Sequence, residues 1–221
     1  MKGRSDAIIQ GHVAAYLGSL EVPRDALLAR MEAHAERENQ PISDPEVATL
    51  LRILVLATRA TRIVEVGTNI GYGAIVLARA ASANVEGAHV DTVELRPEIV
   101  KIARGYIDEA GLSSRVTVHE ADALSFLKKR CEQPVDFAYI DCVKEDYVAY
   151  LELLAPALTR GGLIVADNVL WRGMVGQAEM PEKERARATA LAAFNAKLTK
   201  HADLAATVLP LGDGVALATK I

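Results

Sequence analysis

From residue 62 onward, short runs of β-branched and aliphatic residues alternate with segments of helical periodicity, and that alternation predicts the architecture. Strands are expected at residues 62–66, 89–95, 116–119, 135–141 and 163–166. Helices are expected from residue 74, at 97–110 closed by Gly111, at 124–130, and at 145–158 ended by Gly161-Gly162. Repeated strand, helix and strand units imply a parallel sheet with helices on both faces. Residues 181–200 read as a charged helix, after which the pattern changes. Residues 205–211 and 215–221 flank Gly212-Asp213-Gly214, a hairpin signal, so the last strand is expected to run antiparallel at the end of the sheet.

Three helical segments precede this alternation. Residues 6–20 are mixed, 23–39 form a charged helix opened by Pro23, and Ser43-Asp44-Pro45 caps a third helix reaching about residue 60. Residues 39–42 read as the loop between the second and third. No repeat, low-complexity tract or linker interrupts the sequence. It reads as a single domain over 1–221, a helical layer (1–60) ahead of an α/β core (61–221).

The most informative stretch joins the first strand to its helix: Glu65-Val66-Gly67-Thr68-Asn69-Ile70-Gly71-Tyr72-Gly73. Such a turn lets backbone approach a small molecule and aims helix N–H groups at an anion. The spacing is Gly-x-x-x-Gly-x-Gly, different from that of dinucleotide sites, and an acid precedes the first glycine by two. A carboxylate there repels a pyrophosphate and attracts an ammonium. That preference suits S-adenosylmethionine, with Glu65 toward its ammonium and the turn amides toward its carboxylate. The bland reading is the glycine-rich connection of any α/β protein.

Composition narrows the classes. A formal net charge of -4 provides no basic footprint for nucleic acid. No apolar run reaches the ~20 residues that span a bilayer, and the first residues do not resemble a signal peptide. Cys131 and Cys142 are too few for a disulfide framework. A soluble, cytoplasmic protein without nucleic-acid or membrane partners is expected.

In an open parallel sheet, ligands sit at the carboxyl ends of the strands. Those ends carry Glu65 and Gly67, Glu94, Asp122, Asp141, and Asp167 with Asn168. Glu94 lies roughly 20 residues past the turn, where an acid accepts hydrogen bonds from ribose hydroxyls. Asp122 and Ala123 suit the adenine edge, although Asp122 reads equally well as a helix N-cap. Asp141, Asp167 and Asn168 form an oxygen-only set that suits Mg²⁺, with Ca²⁺ or Mn²⁺ also compatible. Lys144, three residues after Asp141, is either a base over the same pocket or a solvated lysine in a charged turn. Alternation turns Cys142 away from the rim, as a small core residue.

These residues carry a family resemblance. The glycine turn, Val93-Glu94-Leu95, Ile140-Asp141 with Lys144 and Tyr147, Gly161-Gly162 through Asp167-Asn168-Val169-Leu170-Trp171, and Leu209 to Gly214 resemble the cation-dependent O-methyltransferases. That family includes catechol and caffeoyl-CoA O-methyltransferases and small bacterial relatives. The resemblance covers about residue 40 onward. It implies a class I S-adenosylmethionine-dependent methyltransferase fold, Rossmann-like, with a seven-stranded sheet, usually in a homodimer.

By position, the resemblance makes Asp141, Asp167 and Asn168 the metal ligands and Lys144 the base. Cofactor contacts fall on Glu65, Gly67, Thr68, Gly71, Tyr72, Gly73, Glu94, Leu95, Asp122, Ala123 and Asp141, with Ser43 in a covering loop. Lys144, Asn168, Trp171 and Arg172 would meet a small aromatic vicinal diol. Three departures stand out: Gly73 replaces a common serine, Val143 replaces a second aspartate, and no acid lies near Thr207. Two rival readings are a nicotinamide oxidoreductase, disfavoured by the glycine spacing and Glu65, and a cofactor-binding protein without catalysis.

Overall fold

The structure, a computed structural model, describes residues 10–20 and 25–221. The start of the first helix at residue 6 and the opening of the second by Pro23 lie outside the described residues. Helices α1 (Gly11–Ser19), α2 (Ala26–Arg37) and α3 (Pro45–Thr58) precede the sheet. Asp25 starts α2 by accepting the Leu27 and Leu28 amides, each at 3.0 Å, and Pro45 sits at the first turn of α3.

The alternating part then runs β1 (Arg62–Val66), α4 (Tyr72–Asn84), β2 (His89–Glu94), α5 (Pro97–Glu109), β3 (Val116–Glu120), α6 (Ala123–Arg130) and β4 (Val135–Ile140). A short 3₁₀ turn (Lys144–Asp146) leads into α7 (Tyr147–Ala157), followed by β5 (Leu158–Asp167), α8 (Glu182–Thr199), β6 (Leu204–Leu209) and β7 (Val215–Lys220). The strands form one seven-stranded sheet of order β3-β2-β1-β4-β5-β7-β6. Strands β1 to β5 pair in parallel.

Both faces of this sheet are covered, which is why its central strands read as continuous apolar runs. Strand alternation assigns the faces. Ile63, Phe137, Leu163 and Val165 pack under α3, α4 and α5 with Leu51, Ile75 and Val100. Val64, Val66, Ala138, Ile140 and Ile164 pack under α6, α7 and α8 with Leu127, Leu151 and Phe194. With a period of two, Glu65, Tyr139 and Asp167 fall on the first face. At the amino end of the strands, Asp136 ties β1 to β4 by accepting from Thr61, Arg62 and Thr159. Burial works to raise its carboxyl, but these donors hold it far below the usual range.

Two expectations are corrected. The antiparallel strand β7 is inserted between β5 and β6 rather than placed at the end of the sheet, so β6 forms the edge. β6 runs in the same direction as β5 but one strand away, and the tight hairpin turns β7 back into the space between them. The helix before β5 ends at Ala157, and Gly161-Gly162 lies inside β5 beside an irregular register rather than at the helix end. Glycine here accommodates a bulge, not a cap. No helix among the described residues is long and apolar enough to cross a membrane.

Candidate active site

The strand order reverses between β1 and β4, opening a crevice at their carboxyl ends. Gly67 stands at its throat with φ +105, and a Cβ there would lie 2.1 Å from the Asp141 carbonyl oxygen. Only glycine lets the two strand ends close to this distance. The Gly67 and Thr68 amides donate to the Val93 carbonyl at 3.2 and 3.0 Å, and the Asn69 amide donates to Glu94 Oε2 at 3.1 Å. The turn amides are therefore spent on β2 and Glu94, contrary to the expectation that they meet an anion. The first turn of α4, behind Gly71, is where a helix leaves its leading amides without intrahelical acceptors.

Glu65 is buried under this helix. Thr92 Oγ1 donates to Glu65 Oε2 at 2.5 Å, and Thr68 Oγ1 lies 2.6 Å from Thr92 Oγ1. Burial, with the Asp141 charge adding to it and the Thr92 hydroxyl opposing it, pushes the Glu65 carboxyl up to about 8. A Cβ on Gly73 would lie 2.1 Å from Glu65 Oε1. The absence of the common serine thus leaves the space that the Glu65 carboxyl occupies.

Other expected cofactor residues divide. Glu94 is aimed at the crevice and holds Arg96 Nε at 3.0 Å as well as the Asn69 amide. Leu95 is an exposed apolar side chain beside it. Asp122 caps α6 by accepting the Ser125 amide at 2.8 Å, the bland of its two readings, and Ala123 opens that helix. The side chain of Tyr72 is corrected: it is buried, and its hydroxyl donates to Glu32 Oε1 of α2 at 2.7 Å, so the ring belongs to the helical layer.

Beyond the crevice, β4 and β5 bring Asp141, Lys144, Asp167 and Asn168 together. Lys144 is 7% exposed, so it is not a solvated lysine. Its Nζ donates to Asp141 Oδ1 at 2.8 Å and to the Tyr147 hydroxyl at 2.7 Å, and that hydroxyl donates to the Asp167 carbonyl at 3.0 Å. Asp167 Oδ1 accepts the Asn168 amide at 2.7 Å, and Oδ2 accepts the Tyr139 hydroxyl at 3.0 Å. Ser43, expected over the cofactor, is buried with its Oγ 2.7 Å from that Tyr139 hydroxyl. Burial first, and then the charges of Asp167 and Asp141, keep the Tyr139 phenol well above its ordinary range, so it stays a donor.

The loop after β5 holds Asn168, Trp171 and Arg172 at positive φ (58, 48 and 55). Bulky residues adopt this conformation only where surroundings over-determine it. Trp171 N–H donates to the Asn168 carbonyl, and the Arg172 amide donates to Asp213 in the hairpin turn. The Trp171 indole donates to Glu184 Oε2 at 2.9 Å under the Arg187 guanidinium, so its polar atom is committed to α8 rather than to a substrate. Arg172 is exposed. Cys142 packs partly buried against the α6–α8 face, as alternation indicates.

Thr92 and Tyr139 were not singled out from the sequence. The signal existed: each lies two residues before a rim acid, Glu94 or Asp141, so strand alternation puts it on the same face. Two surface depressions, lined by His89 and Arg115 and by Cys131 and Pro156, open at the opposite, amino ends of the strands.

The donor chemistry at β4 and β5 fits a hard cation. Among the described residues no three His, Cys, Asp or Glu side chains gather as a metal site, and the remaining oxygen donor beside the two aspartates is the Asn168 amide. Asp167 is 1% exposed. The nearby Tyr139 and Tyr147 hydroxyls are raised by burial and then by the two aspartates, a negative field that a cation relieves.

Comparison with known proteins decides the family. A family model described as O-methyltransferase matches residues 22–221. The chain belongs to the O-methyltransferase family. A catechol O-methyltransferase from Niastella koreensis is 34% identical over 205 residues, covering 88% of this chain and 89% of its own. A caffeoyl-CoA O-methyltransferase from Stellaria longipes is 28% identical over 201 residues, covering 86% of this chain and 82% of its own. The crystal structure of an O-methyltransferase from Bacillus cereus in complex with SAH superposes with a TM-score of 0.83 at 28% identity, covering 95% of this chain and 97% of that one. This O-methyltransferase is thus an enzyme, and the Bacillus cereus structure shares its fold over 95% of the chain.

Proposed function

We propose that this O-methyltransferase moves the methyl group of S-adenosylmethionine to one hydroxyl of a small aromatic vicinal diol, catechol-like or caffeoyl-like, with a divalent cation at Asp141, Asp167 and Asn168. The observation that carries this reading is the buried Lys144 ammonium on Asp141, linked through Tyr147 to Asp167, where the Asp141 backbone closes against Gly67 of the glycine turn at the switch point. The SAH-bound Bacillus cereus structure and the catechol and caffeoyl-CoA relatives support the donor and the acceptor class.

Each half of the rim has its own task. Glu65 gives up its proton to receive the donor's ammonium, the first turn of α4 receives the donor's carboxylate, and Glu94 receives ribose hydroxyls. A cation bound at Asp141, Asp167 and Asn168 supplies Lewis acidity that lowers the pKa of a hydroxyl. Lys144, after passing one proton of its ammonium to solvent, takes the proton from the attacking hydroxyl as the neutral amine, and Tyr147 holds Nζ in place. Val143, 51% exposed beside Lys144, presents an apolar wall suited to an aromatic ring.

The test is methylation of vicinal-diol aromatics with S-adenosylmethionine, with and without chelator. Turnover is expected to vanish in excess EDTA and return with Mg²⁺; full turnover at nil metal content rejects the cation. A homodimer belongs to the same reading, since α1 and the Leu20 that follows it leave Tyr16, Leu17 and Leu20 exposed for a second copy to cover. Sedimentation velocity showing only monomer at micromolar concentration rejects that part.

A further inference from the structure

Ser43, Tyr139 and Asp167 form a buried hydrogen-bonded chain from the 41–44 loop through β4 to β5, and the transfer chemistry above uses Asp167 but neither Ser43 nor Tyr139. Ser43 belongs to the loop of residues 41–44, which is also tied to the glycine turn where Asn69 Nδ2 donates to the Pro41 carbonyl. Tyr139 lies in β4, directly opposite Glu65 in the β1 register, and its Cε1 is 3.5 Å from where a Cβ on Gly73 would sit. Its hydroxyl donates to Asp167 Oδ2 at 3.0 Å, which leaves its oxygen to accept from Ser43 Oγ at 2.7 Å. One residue is therefore paired with Glu65 of the donor-binding half through its backbone and bonded to the cation-binding half through its hydroxyl.

We propose that Tyr139 is a positioning residue through which the 41–44 loop and Asp167 act on one another, so that cofactor binding and cation binding reinforce each other. The physical reason is shared ordering. A cofactor on the glycine turn holds the loop down, fixing Ser43, which fixes the rotor of the Tyr139 hydroxyl and with it the Asp167 carboxylate. The second ligand then finds that ordering already made, and the linkage is reciprocal. Phenylalanine at 139 would fill the same space but would cut the chain at both ends. This inference rests on the cation reading, and the experiment separates the two.

Mn²⁺ binding is measured by electron paramagnetic resonance on the full chain, with and without saturating S-adenosylhomocysteine, so that no turnover enters. Wild type is expected to bind Mn²⁺ about three- to tenfold more tightly with the cofactor product present, the worth of about one hydrogen bond. In Tyr139→Phe and in Ser43→Ala that ratio falls to about one, and Ser43→Thr, which keeps a hydroxyl, retains it. A purely packing role for Tyr139 would shift affinities without removing the ratio. A ratio of one in wild type, or an undiminished ratio in both cut variants, overturns the proposal while leaving the cation reading intact. No Mn²⁺ binding by wild type under either condition rejects the cation reading and this proposal with it. Should Tyr139→Phe not fold, Ser43→Ala cuts the same chain from the loop side and decides the question.

Discussion

At the ends of β1 and β2 the backbone shapes the site, whereas at the ends of β4 and β5 side chains do. On the first side, Gly67 lets the chain pass against the Asp141 carbonyl, three turn amides are pinned to Val93 and Glu94, and the leading amides of α4 face the crevice. On the second, Asp141, Lys144, Tyr147, Asp167, Asn168 and Tyr139 satisfy one another in a connected network. The difference matters for mechanism. A backbone-built half tolerates little change in shape but needs no rearrangement, while a half built from side chains has to exchange partners when substrate arrives.

The largest expected effect tests the backbone half. Gly67→Ala forces a Cβ against a carbonyl at positive φ, and strain plus overpacking should cost about 2–5 kcal/mol. Urea unfolding reads this directly. Lys144→Ala removes the ammonium partner of Asp141, but that carboxylate keeps some access to solvent, so its loss should be the smaller of the two, and equal losses for the two variants would erase the contrast.

Next in size is the effect of Lys144→Ala on turnover. Loss of the base should lower kcat by about a hundredfold or more, with S-adenosylhomocysteine affinity retained. Raising the pH should partly restore the variant, because the acceptor hydroxyl ionises unaided as hydroxide accumulates. Wild-type turnover at neutral pH would remove Lys144 from the reaction.

The smallest effect sharpens the role of Glu65. Its carboxyl sits at about 8 against an ordinary 4.5, so the ligand-free protein holds that proton at neutral pH. Receiving an ammonium requires the carboxylate, so S-adenosylhomocysteine affinity should rise about tenfold per pH unit toward 8 and level above it. Stability of the ligand-free fold runs the other way: the unfolded chain releases the proton first, so stability present below about 4.5 is lost as pH rises toward 8. Affinity that stays flat between pH 6 and 8 would mean that the ammonium is met elsewhere.

Strand and helix order, the parallel core and most of the rim acids were legible because they depend on local period and on position in a βαβ unit. The 3₁₀ turn at Lys144 and the bulge at Gly161-Gly162 were not, since a glycine pair reads alike as a cap or as a bulge until the neighbouring strand fixes its register. Tyr72 illustrates the other limit: its place beside Gly71 and Gly73 suggested the cofactor, but its ring turned to Glu32, a residue 40 positions away.

By itself, then, the sequence determines which residues stand at the carboxyl ends of the strands and what chemistry they carry, because alternation and turn residues act within a few positions of each other. Which of those residues touch is decided only by the fold. The pairing of β1 with both β2 and β4 sets Thr92 against Glu65 and Tyr139 beside it, and a loop from the helical layer brings Ser43 to Tyr139 across 96 positions. Burial there turns Glu65 into a proton carrier, tertiary contact sets Lys144 between Asp141 and Tyr147, and burial is a property of the packed molecule that no local pattern contains.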